Sequence, residues 1–280
     1  MRDSAVPRPD FDEPTAITLQ AADRFVWGDS TAQLVRDWIF LSNDALQCLV
    51  FGMSEGDSFR HSAEYPTYYG ADEVYIVLQG RFALANPETG EVLELEAGEA
   101  AYFGKETWHH GFNIGAGETR VLEYFSPPPS QGTGETYASR EAHLPPEAWR
   151  YEPETGEPGW PGATPEHSSF TYLPPDELLW TLQGDAQPYL LGLAADTSNL
   201  RVGAVDLRPG HRTDREQHQG DEALYVTSGT VRVEFPDNSA SPWLEAGPDE
   251  VVYIPGGVEH AYRNTTSDVA SAYLGIGPNR

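Results

Sequence analysis

The stretch Gly210-His-Arg-Thr-Asp-Arg-Glu-Gln-His-Gln-Gly-Asp-Glu222 brings three potential metal ligands close together along the chain. Glu216 and His218 stand two positions apart, and side chains at that spacing project from the same face of a β-strand. A Gln-Gly-Asp turn then places Glu222 at the start of the next strand, which the apolar run at 223–227 predicts. The spacing therefore indicates two neighbouring strands whose polar side chains point to one side.

A second stretch, Pro255-Gly-Gly-Val-Glu-His-Ala-Tyr-Arg-Asn264, adds His260 as a fourth potential ligand. Two imidazoles and two carboxylates match the charge of one divalent transition-metal ion and leave room for water or substrate, as catalytic sites do. Fe(II) or Mn(II) is favoured, with Zn(II) or Ni(II) as alternatives. The predicted metal site consists of Glu216, His218, Glu222 and His260. The alternative is a metal-free interior in which these groups hydrogen-bond to one another.

These two stretches resemble the two sequence motifs of the cupin superfamily. The residues that match the first motif in register are Gly210, His218, Glu222 and Gly229. Glu216 stands where the family has its first histidine. The residues that match the second motif, Pro-x-Gly-x-x-His-x-x-x-Asn, are Pro255, Gly257, His260 and Asn264. The resemblance implies a jelly-roll β-barrel with a metal ion inside it.

The chain also contains an internal repeat. Glu73 and His109 in the first half have nearly the same separation as Glu222 and His260 in the second, and each half carries a Leu-Glu-Ala-Gly segment between them. The chain has 280 residues, enough for two domains with their own cores. The repeat therefore predicts an all-β protein with two tandem barrels. The predicted boundaries are 1–125 for the N-terminal barrel, 126–176 for a Pro-rich connector and 177–280 for the C-terminal barrel.

Short strand signals separated by turn residues support this fold class. Residues 74–78 are a continuous apolar run, typical of a strand that is buried on both faces, and residues 231–235 alternate between apolar and polar. Many short strands with turns at this interval indicate a jelly roll. Helix signals are weak, and the segments 30–38 and 175–179 are the modest candidates. The connector contains aromatic residues, which predicts that it packs its rings against one barrel.

The first half offers a weaker second site. Glu73 and His109 match the motif positions, but Thr67 and Tyr69 stand where the family has its two histidines. His61 lies upstream and is a candidate for a displaced ligand. The prediction is therefore a second metal site at His61, Glu73 and His109. The alternative is a relic of the motif that hydrogen-bonds inside the barrel.

Composition restricts the classes of partner. The formal net charge of −27 argues against nucleic acid and anionic membrane surfaces. The chain shows neither an apolar run long enough to span a membrane nor an apolar leader, so we expect a cytoplasmic location. The single cysteine, Cys48, lies in the apolar segment 46–51 and is expected to be a buried structural residue. The resemblance implies a homodimer that acts on a small-molecule substrate.

Three hypotheses for function remain open at this point. The first is a metal-dependent oxygenase or dioxygenase acting on a small organic or aromatic acid, with Glu216 or Glu222 as the catalytic group that shuttles a proton. The second is a non-redox isomerase, lyase or amidohydrolase that uses the metal as a Lewis acid. Glutamate at the first ligand position resembles the ureidoglycine aminohydrolases in this respect. The third is a binding protein without turnover. Resemblance to two-barrel dioxygenases places the oxygenase slightly ahead.

Overall fold

The computed structural model describes residues 6–28, 33–59, 68–86, 89–128, 134–135 and 168–279. The secondary structure of these residues is entirely β, so the fold class predicted from the sequence is confirmed. Within this part of the chain, no helix has the length and apolar character needed to cross a membrane.

The strands divide between the two halves of the chain. Those of the first half are β1 (Thr15–Ile17), β2 (Asp23–Trp27), β3 (Val35–Ser42), β4 (Gln47–Met53), β5 (Ser58–Phe59), β6 (Tyr68–Tyr69), β7 (Asp72–Gln79), β8 (Arg81–Ala85), β9 (Val92–Glu96), β10 (Ala100–Phe103), β11 (His110–Asn113), β12 (Thr119–Ser126) and β13 (Gly134–Glu135). Those of the second half are β14 (Thr171–Leu173), β15 (Leu179–Gln183), β16 (Tyr189–Asp196), β17 (Arg201–Leu207), β18 (Gly220–Ser228), β19 (Val231–Glu234), β20 (Trp243–Ala246), β21 (Glu250–Ile254), β22 (Ala261–Asn264) and β23 (Ala270–Asn279).

The two halves share one sheet topology. One seven-stranded sheet has the order β14-β10-β7-β12-β4-β3-β2, and the other has the equivalent order β1-β21-β18-β23-β17-β16-β15. A smaller sheet, β5-β11-β8-β9 or β20-β19-β22, completes each half. Buried side chains from both sheets form one core per half, with Phe51 and Phe82 in the first and Leu224 and Val233 in the second. The prediction of two tandem barrels is therefore confirmed.

Each large sheet contains one strand from outside its own half of the chain: the segment before the first barrel adds a strand to the second, and the segment before the second barrel adds a strand to the first. β1 pairs with β21 of the second barrel, where Thr15 lies opposite Tyr253. β14 pairs with β10 of the first barrel, where Leu173 lies opposite Ala100. Phe170, just before β14, is buried in the first core. The two barrels therefore exchange strands across the domain boundaries drawn from the sequence, and those boundaries remain predictions.

The two large sheets pack face to face, because their strands are apolar on both sides. Along β7, Tyr75 and Val77 belong to the core of the first barrel, whereas Val74 and Ile76 belong to a shared core between the sheets. Tyr225 of β18 contributes to the same shared core from the second barrel. Side chains alternate along β7, so Glu73 lies on the same face of the strand as Tyr75 and Val77 and points into the first barrel.

Tyr124 of β12 crosses this interface. Its hydroxyl lies 3.0 Å from the carbonyl oxygen of Ala223 and 2.8 Å from that of Tyr273. The ring covers Gly275 so closely that an added Cβ there would lie 2.2 Å from Tyr124 Cδ1. Glycine at position 275 therefore allows the two sheets to approach each other.

Both helix candidates are wrong. In segment 30–38, the residues from Val35 onward form β3, which pairs with β2 on one side and β4 on the other. In segment 175–179, the N–H of Glu177 donates to the carbonyl of Pro174 in a turn, and β15 begins at Leu179. Pairing with neighbouring strands outweighs the local sequence preference in segment 30–38.

Gly275→Ala is expected to destabilise the protein by about 1–3 kcal/mol, because its methyl group would overlap the ring of Tyr124 in a packed interface. Urea titrations that yield the free energy of unfolding measure the effect. Gly247→Ala is the matched control, since the nearest atom to its added Cβ would lie 3.8 Å away. Equal destabilisation of the two variants would contradict the packing described here.

Candidate metal centre

Backbone hydrogen bonds bring the two predicted motifs together. The N–H of Glu216 donates to the carbonyl of His260 at 2.8 Å, and the N–H of His260 donates to the carbonyl of Glu216 at 2.9 Å. Glu216 therefore lies in an isolated β-bridge, and not in the regular strand that its spacing from His218 predicted. Glu222 is the third residue of β18, and His260 directly precedes β22.

The four predicted ligand side chains converge inside the second barrel. The Nε2 of His218 lies 3.8 Å from Glu216 Oε2 and 3.6 Å from Glu222 Oε2. The Nε2 of His260 lies 3.9 Å from Glu216 Oε1 and 3.4 Å from Glu222 Oε2. Donor atoms bound to one first-row ion at about 2.1 Å lie roughly 3.0 to 4.2 Å from one another. The four observed separations between imidazole nitrogens and carboxylate oxygens fall within that range. Among the described residues, Glu216, His218 and His260 offer ligand atoms that all lie within 4.8 Å of one another, so these three fit a single ion, and Glu222 stays a predicted fourth ligand.

Unpaired polar atoms at the centre of the group support this fit. Within the described part of the chain, the buried Nε2 of His218 and the buried Oε2 of Glu222 have no hydrogen-bond partner. Leaving such an atom unpaired costs about 1–3 kcal/mol, which a metal bond would offset. The Nδ1 of His260 lies 3.0 Å from the carbonyl oxygen of Val258, so Nδ1 can donate there while Nε2 faces the carboxylates. Metal-binding histidines are typically oriented in this way.

Two tyrosines that the sequence did not predict complete the site. The hydroxyl of Tyr189 donates to the carboxylate of Glu216, at 3.2 and 3.1 Å from its two oxygens. The hydroxyl of Tyr262 donates to Glu222 Oε1 and lies 3.1 Å from His260 Nε2. The sequence could have indicated Tyr262, because it stands two positions after His260. Tyr189 arrives from β16 and has none.

The pKa values of the two acids shift in opposite directions, and so do those of the two imidazoles. Burial and the charge of Glu222 raise the pKa of Glu216 to about 7. Burial opposes ionisation of Glu222, but the charges of His260 and His218 bring the pKa of Glu222 below its ordinary value. Burial likewise opposes the charged form of His260, yet Glu222 raises the pKa of His260 to about 9. Burial lowers the pKa of His218. Near neutral pH, the protein alone therefore pairs a His260 imidazolium with a Glu222 carboxylate.

The first barrel holds an equivalent but simpler pair. The Nε2 of His109 lies 3.8 Å from Glu73 Oε2 and 3.2 Å from the hydroxyl of Tyr75. Its Nδ1 lies 3.1 Å from the carbonyl oxygen of Thr107, as in the second barrel. His61 falls outside the described residues. The second metal site at His61, Glu73 and His109 therefore stays a prediction, and the structure brings Glu73 and His109 together.

The electrostatics of this pair differ from those of its counterpart. Burial, followed by the charge of Glu123, raises the pKa of Glu73 well above its ordinary value. Burial lowers the pKa of His109 to about 4. His109 is therefore neutral near pH 7, and burial favours the protonated form of Glu73. Strand pairing places Glu123 where Leu274 stands in the second barrel, so the added acid is specific to the first.

Comparison with protein families matches each half of the chain separately. The family described as a cupin domain matches residues 63–125 and 203–276. The first range contains Glu73 and His109. The second contains all four predicted ligands of the second barrel. No curated protein gives a significant match to the sequence.

The fold is similar to that of several solved structures. Oxalate decarboxylase from Lactobacillus farciminis, in complex with formate, has a TM-score of 0.66 and 13% identity, covering 98% of this chain and 88% of that chain. A protein from Pseudomonas aeruginosa described as glyoxylate-induced has a TM-score of 0.68 and 14% identity, covering 100% and 94%. A variant of oxalate decarboxylase from Bacillus subtilis has a TM-score of 0.65 and 12% identity, covering 98% and 79%. At these identities the likeness is one of fold.

Glu222→Gln is expected to weaken Mn(II) binding more than roughly 100-fold, because it removes a buried charged ligand. Loss of a residue that only hydrogen-bonds to a ligand typically weakens metal binding by roughly 10- to 100-fold. Competition with a chelating dye measures the dissociation constant, and elemental analysis measures the metal content. Glu245→Gln is the matched control, since it makes the same change in a half-exposed carboxylate that pairs with Arg232. Equal metal affinity in the two variants would contradict the assigned site.

The affinity for Mn(II) is expected to rise with pH, because the metal must displace the proton of His260 and, below about pH 7, that of Glu216. With His260 titrating at about 9 and Glu216 at about 7, the rise between these values should be about tenfold per pH unit, one proton being released per ion. Calorimetric titrations in buffers of different ionisation enthalpy count the released protons. Proton release of zero at neutral pH would refute the pairing of His260 with Glu222.

Proposed function

We propose that this chain, which belongs to the cupin superfamily as a two-barrel member, is a metal-dependent enzyme that acts on a small carboxylic acid in its second barrel. The observation that carries the proposal is the convergence of two imidazoles and two carboxylates, with His218 Nε2 and Glu222 Oε2 buried and unpaired among the described residues. Such a group is costly to bury unless a cation compensates it. His218 also borders an open cleft, through which a small molecule has access to the site.

The donor set favours a hard divalent ion. Glu216, His218, Glu222 and His260 would hold it, and two carboxylates among four ligands suit Mn(II) or Fe(II) better than softer ions. The Mn(II) centres described for the oxalate decarboxylase of Bacillus subtilis support Mn(II) as the first candidate. The bound ion would supply Lewis-acid chemistry by polarising a substrate oxygen.

The reaction class that we favour is that of a lyase, which breaks the bond between a carboxylate carbon and its neighbour. When the carboxylate leaves as carbon dioxide, the electron pair of the broken bond stays on the remaining carbon, which must then take up a proton. Glu216 is the candidate that the sequence analysis gives for this role, in which case its carboxyl group would be released from the ion while it carries the proton. Tyr189 donates to Glu216 and orients its carboxyl group.

Oxygenase chemistry, ahead in the sequence analysis, is the second candidate. The same mixed set of imidazole and carboxylate ligands suits Fe(II) with open positions. The lyase moves ahead because structurally similar proteins include oxalate decarboxylases. A binding protein without turnover is the third outcome to be distinguished.

Mn(II)-loaded protein is expected to release carbon dioxide from oxalate or another short dicarboxylic or 2-oxo acid at the same rate with and without oxygen. A chelator should abolish the reaction. Glu222→Gln should lose it, whereas Glu245→Gln should retain it. The measurements are product formation by mass spectrometry and oxygen uptake with an electrode. Turnover that consumes oxygen would establish the oxygenase instead, and no turnover by Mn- or Fe-loaded protein would refute the proposed enzyme.

A further inference from the structure

A cleft of about 560 Å³ opens at the mouth of the second barrel. Its walls are the turn between β16 and β17 at 196–201, the loop at 217–220 and the end of β23 at 276–278. His218 belongs both to this cleft and to the predicted metal site, where its Nε2 is buried without a hydrogen-bond partner among the described residues. A small molecule in the cleft would therefore lie next to one of the four predicted ligands.

Arg201 places a positive charge in this wall. Apart from His218, Asp196 and Arg201 are the ionisable side chains among the described residues that line the cleft. The chain as a whole carries a net charge of −27, which repels anions. An anionic substrate therefore needs a local cation, and Arg201 is in position to supply it.

Arg201 also lies in the same row of the large sheet as Glu222. Glu222 pairs with Ile276 of β23, and Ile276 pairs with Arg201 of β17. Side chains in one row share a face of the sheet, and two strand spacings of about 4.8 Å put the two outer backbones roughly 10 Å apart. A ligand that bridges the two residues would need polar groups at both ends.

Asp196 holds the guanidinium of Arg201 in place and leaves donors available. The Nε and Nη2 of Arg201 donate to the two carboxylate oxygens of Asp196 at 3.0 and 3.3 Å. A guanidinium has five N–H donors, so three remain for a second carboxylate. The turn itself is fixed, because the hydroxyl of Thr197 accepts from the N–H of Leu200 at 3.0 Å and donates to Asp72 of the first barrel at 2.8 Å.

The first barrel has a neutral pair at the equivalent position. Gln47 pairs with Phe125, and Phe125 pairs with Glu73, which is the same relation as that of Arg201 to the glutamate of the second barrel. The hydroxyl of Ser42 donates to Gln47 Oε1 at 2.9 Å. This neutral pair takes the place that the ion pair of Asp196 and Arg201 has in the second barrel. The arginine therefore belongs to the barrel that also has the four converging ligands.

We propose that Arg201 binds one carboxylate of a short dicarboxylic or 2-oxo acid, whose other polar end reaches the predicted metal ligands. The inference rests on the proposed function, since it names the substrate class of that site. A monocarboxylic acid without an oxo group, such as acetate, lacks the second polar end and binds more weakly.

The test measures the binding of oxalate, malonate and glyoxylate to the Mn(II)-loaded full-length protein by calorimetry, with acetate for comparison. Arg201→Gln, which installs the residue of the first barrel, is expected to weaken binding about tenfold or more at unchanged metal content. Asp196→Ser combined with Arg201→Gln copies the whole neutral pair, and its binding should stay weak although no aspartate is left unpaired. Arg232→Gln, at an arginine that pairs with Glu245 away from the cleft, should bind as the unchanged protein does.

Binding outcomes separate this inference from the proposed enzyme. Binding that depends on Arg201 without any turnover supports the anion site and refutes the lyase. Turnover or binding that is unaffected by Arg201→Gln overturns the inference and leaves the enzyme standing. Failure of all three acids to bind to the metal-loaded protein more tightly than acetate also overturns it.

Discussion

The two backbone hydrogen bonds between Glu216 and His260 are the constraint on which the second barrel's site depends. They join a loop to the strand that follows His260, so that two side chains from one motif face two from the other. Without this bridge, Glu216 would lose its main-chain link to His260, and His218 would be held by the hydrogen bond that its carbonyl accepts from the N–H of Gly257 at 2.7 Å. The scaffold thus fixes the ligand positions through the main chain and leaves the side chains to determine the chemistry.

The two barrels show how one scaffold can hold different electrostatic environments. In the first, burial favours the uncharged forms of both Glu73 and His109, and the charge of Glu123 adds to this effect at Glu73. In the second, additional ligands bring an imidazolium and a carboxylate together at the same positions. Side chains differ at a few equivalent positions, Gln47 and Arg201 among them, whereas the order and pairing of the strands in the large sheets are the same. The chemistry of each half therefore follows from its interior polar residues.

The sequence predicted the fold, and the side chains that it selected as metal ligands lie close together in the structure, because both leave local signals. Spacing of two along the chain and the repeat of the motifs were sufficient to place His218 with its partners. The same reasoning was wrong about segment 30–38, where pairing on both sides decides the structure, and about the regular strand expected at Glu216. Tyr189 and Arg201 could not be found. Their relation to the site depends on which strands are neighbours, and no spacing in the chain records that.

The exchange of β1 and β14 between the sheets has a consequence for biosynthesis. β14 follows the first barrel in the chain, so its partner β10 is already made when it emerges from the ribosome. β1 precedes the first barrel in the chain, yet its partner β21 belongs to the second barrel. Because the chain is made from the N-terminal side onward, β1 has to wait until the second barrel's strands emerge. The first barrel can thus be completed during translation, whereas β1, which precedes it, is placed only after β21 is made.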